Sequence, residues 1–264
     1  HRTTDEPCAG PSLAACFACA RRHDGSVRAA VMAPATVIGR RMLRPSAVIT
    51  LSRHVADVLR RYVSVPIEVC GGLLPPSSPL GGRPAGLPTA PFVLFAGDPS
   101  PHKGIDVLLA AWRDPRLATV PLVVASTRPP RVELPPNVVT VQLARGEMQA
   151  AQAAAAVAVV PSRWGEPFGM VAMEALAAGT PVVASDVGAL GEVVRDGIDG
   201  VLVPPSDVEA LVTAVRALLD DEPRRRRLGN AGRDGAARFR PEVVAARVDG
   251  VYRRVVDSGA AVTT

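Results

Sequence analysis

The run Val-Ala-Val-Val at 157–160, closed by Pro161, is the stretch that most constrains the fold. It is apolar at every position, mostly β-branched, and too short to be a buried helix. It also lacks the alternation of a strand with one wet face. Strands buried on both faces read this way, and they belong to parallel sheets covered by helices on both sides. The next residues fit that reading. A loop carries Glu166 and Gly169, a helix rich in Ala, Met and Leu runs to Gly179 as its C-cap, and a second apolar run fills 181–184. Residues 161–205 therefore read as strand, loop, helix, strand, loop: one βαβ unit.

The same pattern recurs on either side. Short apolar strands are expected at 92–96, 122–125, 138–141 and 201–203. Helices are expected at 105–112, 147–156, 207–219 (started by Ser206), 222–239 and 242–256. Alternation of this kind predicts an α/β fold with a doubly wound parallel sheet. Residues 71–91 are rich in Gly, Pro and Ser without periodicity, which reads as a linker and a domain boundary. Ahead of it, 47–50 and 66–70 read as strands around a helix at 53–62 capped by Ser52. Residues 26–44 read as helical despite Pro34, and 1–30 as irregular apart from one possible helix at 12–23.

Composition bounds the chemistry. The 264 residues carry a formal charge of +5 and a pI of about 9.6, which favours phosphate-bearing or other anionic partners. Aromatic residues are too sparse for a surface that stacks bases, so no nucleic-acid partner is expected. The run Arg224–Arg227 reads as a solvated helix face, with peripheral contact to an anionic membrane as the minority reading. No apolar run reaches the roughly 18 residues of a membrane span, and a cytoplasmic protein is expected. Four cysteines are few for a disulfide scaffold, which suggests a reducing compartment. Cys8, Cys16, Cys19 and His23 have a spacing that zinc can use, but Cys16, Cys19 and His23 also fit one helix as ordinary packing residues, the preferred reading.

Ligands of open α/β sheets bind beyond the carboxyl ends of the strands. Three loops leave those ends. They carry Gly97, Asp98 and Lys103; Arg163, Glu166 and Gly169; and Ser185 with Gly188. Lys103 is the single lysine among 30 basic side chains. A compact ammonium beside a glycine suits a phosphate as a point charge where a guanidinium fork does not fit. Glycine backbone and a helix start near Phe168 add N–H groups and a positive dipole end. Together these predict a diphosphate site. The chain lacks the G-x-G-x-x-G fingerprint, the Walker A motif and the nucleophile elbow. Glu166 and Glu174 fit two roles equally on spacing alone: acceptors for sugar hydroxyls, or acids in local salt bridges.

The segment E-P-F-G-M-V-A-M-E, Glu166 to Glu174, resembles the E-x7-E motif of family 4 retaining glycosyltransferases (glycosyl transferases group 1 type, GT-B fold). The continuation AAGTPVVASDVGALGEVVRDGIDGVLVPPSDVEAL and the earlier FAGDPSPHKGIDVLLAAW resemble the same family, over about 45–240 in all. The resemblance implies a nucleotide-diphosphate sugar donor of UDP or GDP type, an acceptor hydroxyl, and no metal or other cofactor. It implies that Lys103 holds the diphosphate and that Glu166 contacts the donor sugar. Amides from Phe168 to Met170, around Gly169, would touch sugar and phosphate, Glu174 would bind the ribose, and Val141 and Gln142 would lie near the base. Where the family carries an Arg beside the Lys, this chain has Asp98, with Arg163 or His102 as the candidates to compensate. The resemblance also implies a domain plan. Residues 1–85 would be the last part of an acceptor-side Rossmann-like domain with its linker. Residues 86–240 would form a complete donor domain, and 241–264 a helix returning toward the first. The reading from a different class is a sugar-nucleotide-binding remnant without activity; a nucleotide-sugar epimerase fits the motif context less well.

Overall fold

The computed structural model describes residues 12–42, 45–75, 82–130 and 132–258. Contacts divide the chain into a larger unit, Gly71–Arg247, and a smaller one drawn from the residues on either side of it. The smaller unit contains α1 (Leu13–Asp24), α2 (Ser26–Met42), β1 (Val48–Thr50), α3 (Arg53–Leu59) and β2 (Ile67–Val69). β1 and β2 pair in parallel, Val48 opposite Ile67. Ser52 caps α3 as its sequence predicts, its hydroxyl accepting from the Val55 amide at 3.1 Å. The possible helix at 12–23 is formed, as α1, and the helix expected at 26–44 is α2. Ser12 caps α1, and the turn at Gly25, with φ of +82°, leads straight into α2. The alanine content gives both helices their propensity, while their weak apolar stripes gave periodicity little to detect. On α1, Cys16 and Cys19 are half-buried free thiols. Cys8 and the His23 side chain lie outside the described residues, among which no group of three or more His, Cys, Asp and Glu is arranged to hold a metal.

In the larger unit the elements alternate as the sequence predicts. They are β3 (Val93–Ala96), α4 (Ile105–Ala111), β4 (Leu122–Ala125), β5 (Val138–Val141), α5 (Arg145–Ala154), β6 (Val157–Val160), α6 (Met170–Ala178), β7 (Val182–Ser185), α7 (Leu190–Val193), β8 (Gly200–Val203), α8 (Val208–Asp220), α9 (Glu222–Gly235) and α10 (Pro241–Asp257), the last continuing past the unit. The strands are all parallel, in the order β5-β4-β3-β6-β7-β8. The chain builds outward from β3 to the β5 edge, returns beside β3 as β6, and builds the other way to β8. Strand order therefore reverses between β3 and β6. Those two strands pair only at Val93↔Val157 and Leu94↔Ala158, whereas β3 and β4 pair along all four residues.

Side chains alternate across this sheet, as the pleat requires. Val93, Phe95, Val157, Val159 and Val183 point into one core, against Trp112, Leu117, Leu211 and Leu218. On the opposite face, Ala158, Val160, Val182 and Ala184 pack against Phe168, Met173, Leu176 and Leu190, and Leu94, Val123 and Ala125 pack with Phe92 and Ala151. Each fully buried leucine contributes about 1.5–3 kcal/mol of transfer free energy, so both faces hold the strands and fix their register. The Trp112 indole N–H, buried with its ring, donates to the Val120 carbonyl at 3.0 Å. Among the described residues no helix is long and apolar enough to cross a membrane. Within the run Arg224–Arg227, Arg226 pairs with Glu222, and Arg225 caps the end of α8 by donating to the Leu218 and Leu219 carbonyls.

One helix start differs from its expectation. Ser206 does not cap α8; it takes a left-handed conformation, φ 65°, and Asp207 is the cap, its carboxylate accepting from the Ala210 amide at 2.9 Å. The turn closed by the Asp207 amide on the Pro204 carbonyl spends Ser206 on reversing the chain. We expect Asp207→Ala to lower unfolding free energy by about 1 kcal/mol. Ser206→Gly, which relieves a positive φ, should be neutral or stabilising. Urea-unfolding midpoints compared at constant m-value decide between the two caps.

Candidate functional site

The loops after β3 and β6 flank the reversal of strand order, where open α/β sheets place their ligands. The first loop passes through Gly97 and the exposed Asp98, makes a 3-10 turn at Pro101–Lys103, and enters α4 through Gly104. Gly104 has φ of +75°, and a Cβ there would stand 1.8 Å from the Pro161 carbonyl oxygen. Any other residue would force the two loops apart. They are also joined by the Arg163 amide, which donates to the His102 carbonyl at 2.9 Å.

Side chains close this seam. Lys103 Nζ donates to Glu166 Oε1 at 2.5 Å, an ion pair across 63 residues of sequence. The Glu166 side chain is only 7% exposed against 30% for Lys103, so the ammonium is the outward member. Ser162 Oγ donates to the same carboxylate oxygen at 2.6 Å. The loop after β7 braces Glu166 from its backbone side: the Ala189 amide donates to the Glu166 carbonyl at 2.9 Å, and Gly188 lies close against it. Ser185, the last residue of β7, is buried. Trp164 packs between loops, its ring 5.2 Å from Lys103 Nζ and edge-on to His102 at 5.2 Å. Arg163 does not join this group. Its guanidinium is held by Asp106 at 2.8 Å, with both side chains well exposed.

Beyond Glu166, Phe168 is buried and packs edge-on to Phe239 at 5.4 Å. Gly169, at φ of +93°, starts α6 without a side-chain cap, which leaves the amides of the first turn with no partner from that position. Met170 is exposed beside them. Glu174 lies about one turn further along. It lines a cavity of about 730 Å³ with Gln149, Gln152, Ala177 and Arg233 among its walls. Burial pushes the Glu174 carboxyl above the usual range; the Gln152 amide, at 3.4 Å, and the charge of Arg145 pull in the other direction without overcoming it. Gln152 is itself buried and its carbonyl accepts from Thr180 Oγ1 at 2.5 Å.

The expected residues are thus partly gathered. Lys103, Glu166, Gly169 and Met170 lie on the two loops and the helix start at the reversal, with Glu174 on the helix behind. Val141 ends β5 and Gln142 follows it, two strands over from β3 or about 10 Å across the sheet. Gln142 there donates to the Thr127 carbonyl at 3.2 Å. Ser162, Trp164 and Gln152 were not singled out from sequence. A tryptophan inside an otherwise polar loop, one of two in the chain, was the available signal for one of them.

Residues 84–235 match the family model for glycosyl transferases group 1. The phosphatidyl-myo-inositol mannosyltransferase of Mycobacterium leprae is 46% identical over 113 residues, covering 43% of this chain and 30% of that protein. Among solved structures, the sucrose-phosphate synthase of Thermosynechococcus elongatus superposes with a TM-score of 0.69 at 31% identity, covering 84% of this chain and 61% of that one. Anabaena Alr3699/HepE, solved with UDP and glucose, gives a TM-score of 0.67 at 20% identity, covering 84% of this chain and 66% of that one, and speaks to the fold alone. The chain covers less than two thirds of the length of each of these relatives. Its architecture is the α/β fold of GT-B glycosyltransferases. With the family model spanning more than half of its residues, the chain belongs to the glycosyl transferases group 1 family.

Proposed function

We propose that this chain supplies the donor side of a retaining glycosyltransferase, which moves a sugar from a nucleoside-diphosphate sugar to an acceptor hydroxyl. The observation that carries the reading is the Lys103–Glu166 pair, which stands at the strand reversal with the uncapped start of α6 beside it. In the reaction the bond from the anomeric carbon to the diphosphate oxygen breaks, and its electron pair leaves on the diphosphate. A bond to the acceptor oxygen forms on the same face as that hydroxyl passes its proton to the departing diphosphate oxygen. The demand on the protein is stabilisation of negative charge on the leaving group. Lys103 supplies a full positive charge and the first amides of α6 supply aligned dipoles. Glu166, released from Lys103 as the diphosphate enters, accepts from hydroxyls of the donor sugar, and Glu174 accepts from the ribose. The donor in this reading is a nucleoside-diphosphate sugar of UDP or GDP type, and the likeness to a sucrose-phosphate synthase at 31% identity supports a sugar-transfer role. In this reading 86–240 is the donor domain, in a protein working at the cytoplasmic side.

One observation favours a second reading, a sugar-nucleotide-binding remnant without transfer activity. Asp98 brings a negative charge to the loop after β3, and Arg163 is engaged by Asp106 instead of offsetting it. A radiolabelled nucleotide-sugar assay separates the two. Transfer to an acceptor, or hydrolysis of the donor, establishes the enzyme; binding with neither establishes the remnant.

Lys103→Ala and Glu174→Ala should each weaken nucleoside-diphosphate binding by about 1.5–3 kcal/mol, the worth of a charge-assisted hydrogen bond. Unchanged calorimetric affinity in both variants would sink the site assignment. Glu174 also predicts a pH effect. Its folded-state pKa lies above the unfolded one, so the native state holds the extra proton and loses stability as pH rises through that window. Glu174→Gln should therefore be more stable than the native chain at neutral pH, with the difference vanishing below the ordinary carboxylate range. Thermal melts at both pH values test the sign.

A further inference from the structure

Trp164 has no part in the reading above, yet three of its features are unusual together. Its ring lies 5.2 Å from the Lys103 ammonium, within the range where a cation is drawn to an aromatic face. The same ring meets His102 edge-on at 5.2 Å, so it grips two consecutive side chains of the turn Pro101–Lys103. Its Nε1 is the one buried side-chain nitrogen or oxygen among the described residues with no hydrogen-bond partner. The indole is therefore not held here by a hydrogen bond from its N–H. What the indole offers here is its broad face.

We propose that Trp164 is the positioning residue of Lys103: its ring holds the ammonium at the mouth of the strand-reversal crevice, where it can be handed from Glu166 to an entering diphosphate. Lys103 has four rotatable bonds, and Glu166 alone would draw it inward, since that carboxylate is the more buried partner. Two groups acting on the ammonium, one anionic and one aromatic, fix its direction. When the diphosphate competes for the charge, the aromatic contact persists and limits how far the side chain must be reordered. The inference rests on the donor-site reading of Lys103.

Because Lys103 is the single lysine of the chain, lysine labelled with 13C at Cε gives one side-chain signal that reports on this contact directly. The ε protons should resonate upfield of free lysine through the indole ring current, keep most of that shift in Trp164→Phe, and lose it in Trp164→Leu. A signal at the free-lysine position in the native chain overturns the proposal, and needs no variant to fold. Affinity for UDP, with GDP in parallel, supplies the second readout. Trp164→Leu should weaken binding about 3- to 30-fold and Trp164→Phe should recover most of it. In a Lys103→Ala background the leucine substitution should cost nothing further. Equal losses with and without Lys103 mean that Trp164 acts only on loop packing, which overturns the proposal and leaves the donor site standing. Full affinity in Lys103→Ala itself overturns both.

Discussion

The close approach of Gly104 to Pro161 governs the rest of the site. With the Pro161 carbonyl so near, the loops after β3 and β6 run side by side where the strands they leave have ceased to pair. Every other contact at the crevice follows from that spacing. It lets the Arg163 amide reach the His102 carbonyl, lets Trp164 lie against the turn, and puts a lysine and a glutamate from distant parts of the chain at 2.5 Å. The geometry is upheld from below by the sheet, where β3 and β6 share one core and are each buried on the opposite face as well.

A pair such as Lys103–Glu166 is better understood as a poised arrangement than as a source of stability. Desolvating a carboxylate as buried as Glu166 costs several kcal/mol, and the attraction of one partly exposed ammonium repays little more than that. The Ser162 hydroxyl donates to the same carboxylate oxygen as Lys103, and the Ala189 amide holds the Glu166 backbone carbonyl. Neither charge is stranded while the crevice is empty. An entering diphosphate can take up the ammonium, provided the carboxylate gains hydroxyl donors in exchange, which is what a sugar attached to that diphosphate offers. On the donor-site reading, the pair therefore favours a whole sugar nucleotide over a bare phosphate.

The fold was legible because each strand here is a short apolar run with its own boundaries, and each helix carries caps or a stripe. The failures were local and have physical causes. α1 lacks a strong stripe, so 12–23 reads as no more than a possible helix. Ser206 has the composition of a cap but is used for a left-handed turn. α7, at four residues, is shorter than any periodicity can register. The site was legible in its residue types and less so in its pairings. Lys103 and Glu166 each stood out from the strand-end argument, but their contact depends on which two strands become neighbours, and no local pattern states that. Gln152 looked like one more polar residue on a helix until packing turned it inward toward Glu174.

Electrostatic strength alone does not locate this site. On the surface, Arg116 donates to both Asp114 and Glu209, and its guanidinium holds the Asp114 carboxyl down to about 2. Such exposed networks are screened and contribute little. What distinguishes the crevice is cost. Glu166 is a buried acid, Glu174 is held above its ordinary pKa by burial, and Trp164 carries an unpaired buried N–H. Each is locally unfavourable, and all three fall within a dozen residues at and just beyond the carboxyl end of β6. The strongest stabilising features lie elsewhere, in the apolar strands and the helix faces that cover them. Buried charge also occurs elsewhere, but there it has structural partners: Asp199 is held by Arg195, and Arg238 donates to the Val193 carbonyl. The cluster at and just beyond the sheet reversal, supported by an otherwise consistent core, has the distribution expected of a scaffold carrying a binding site.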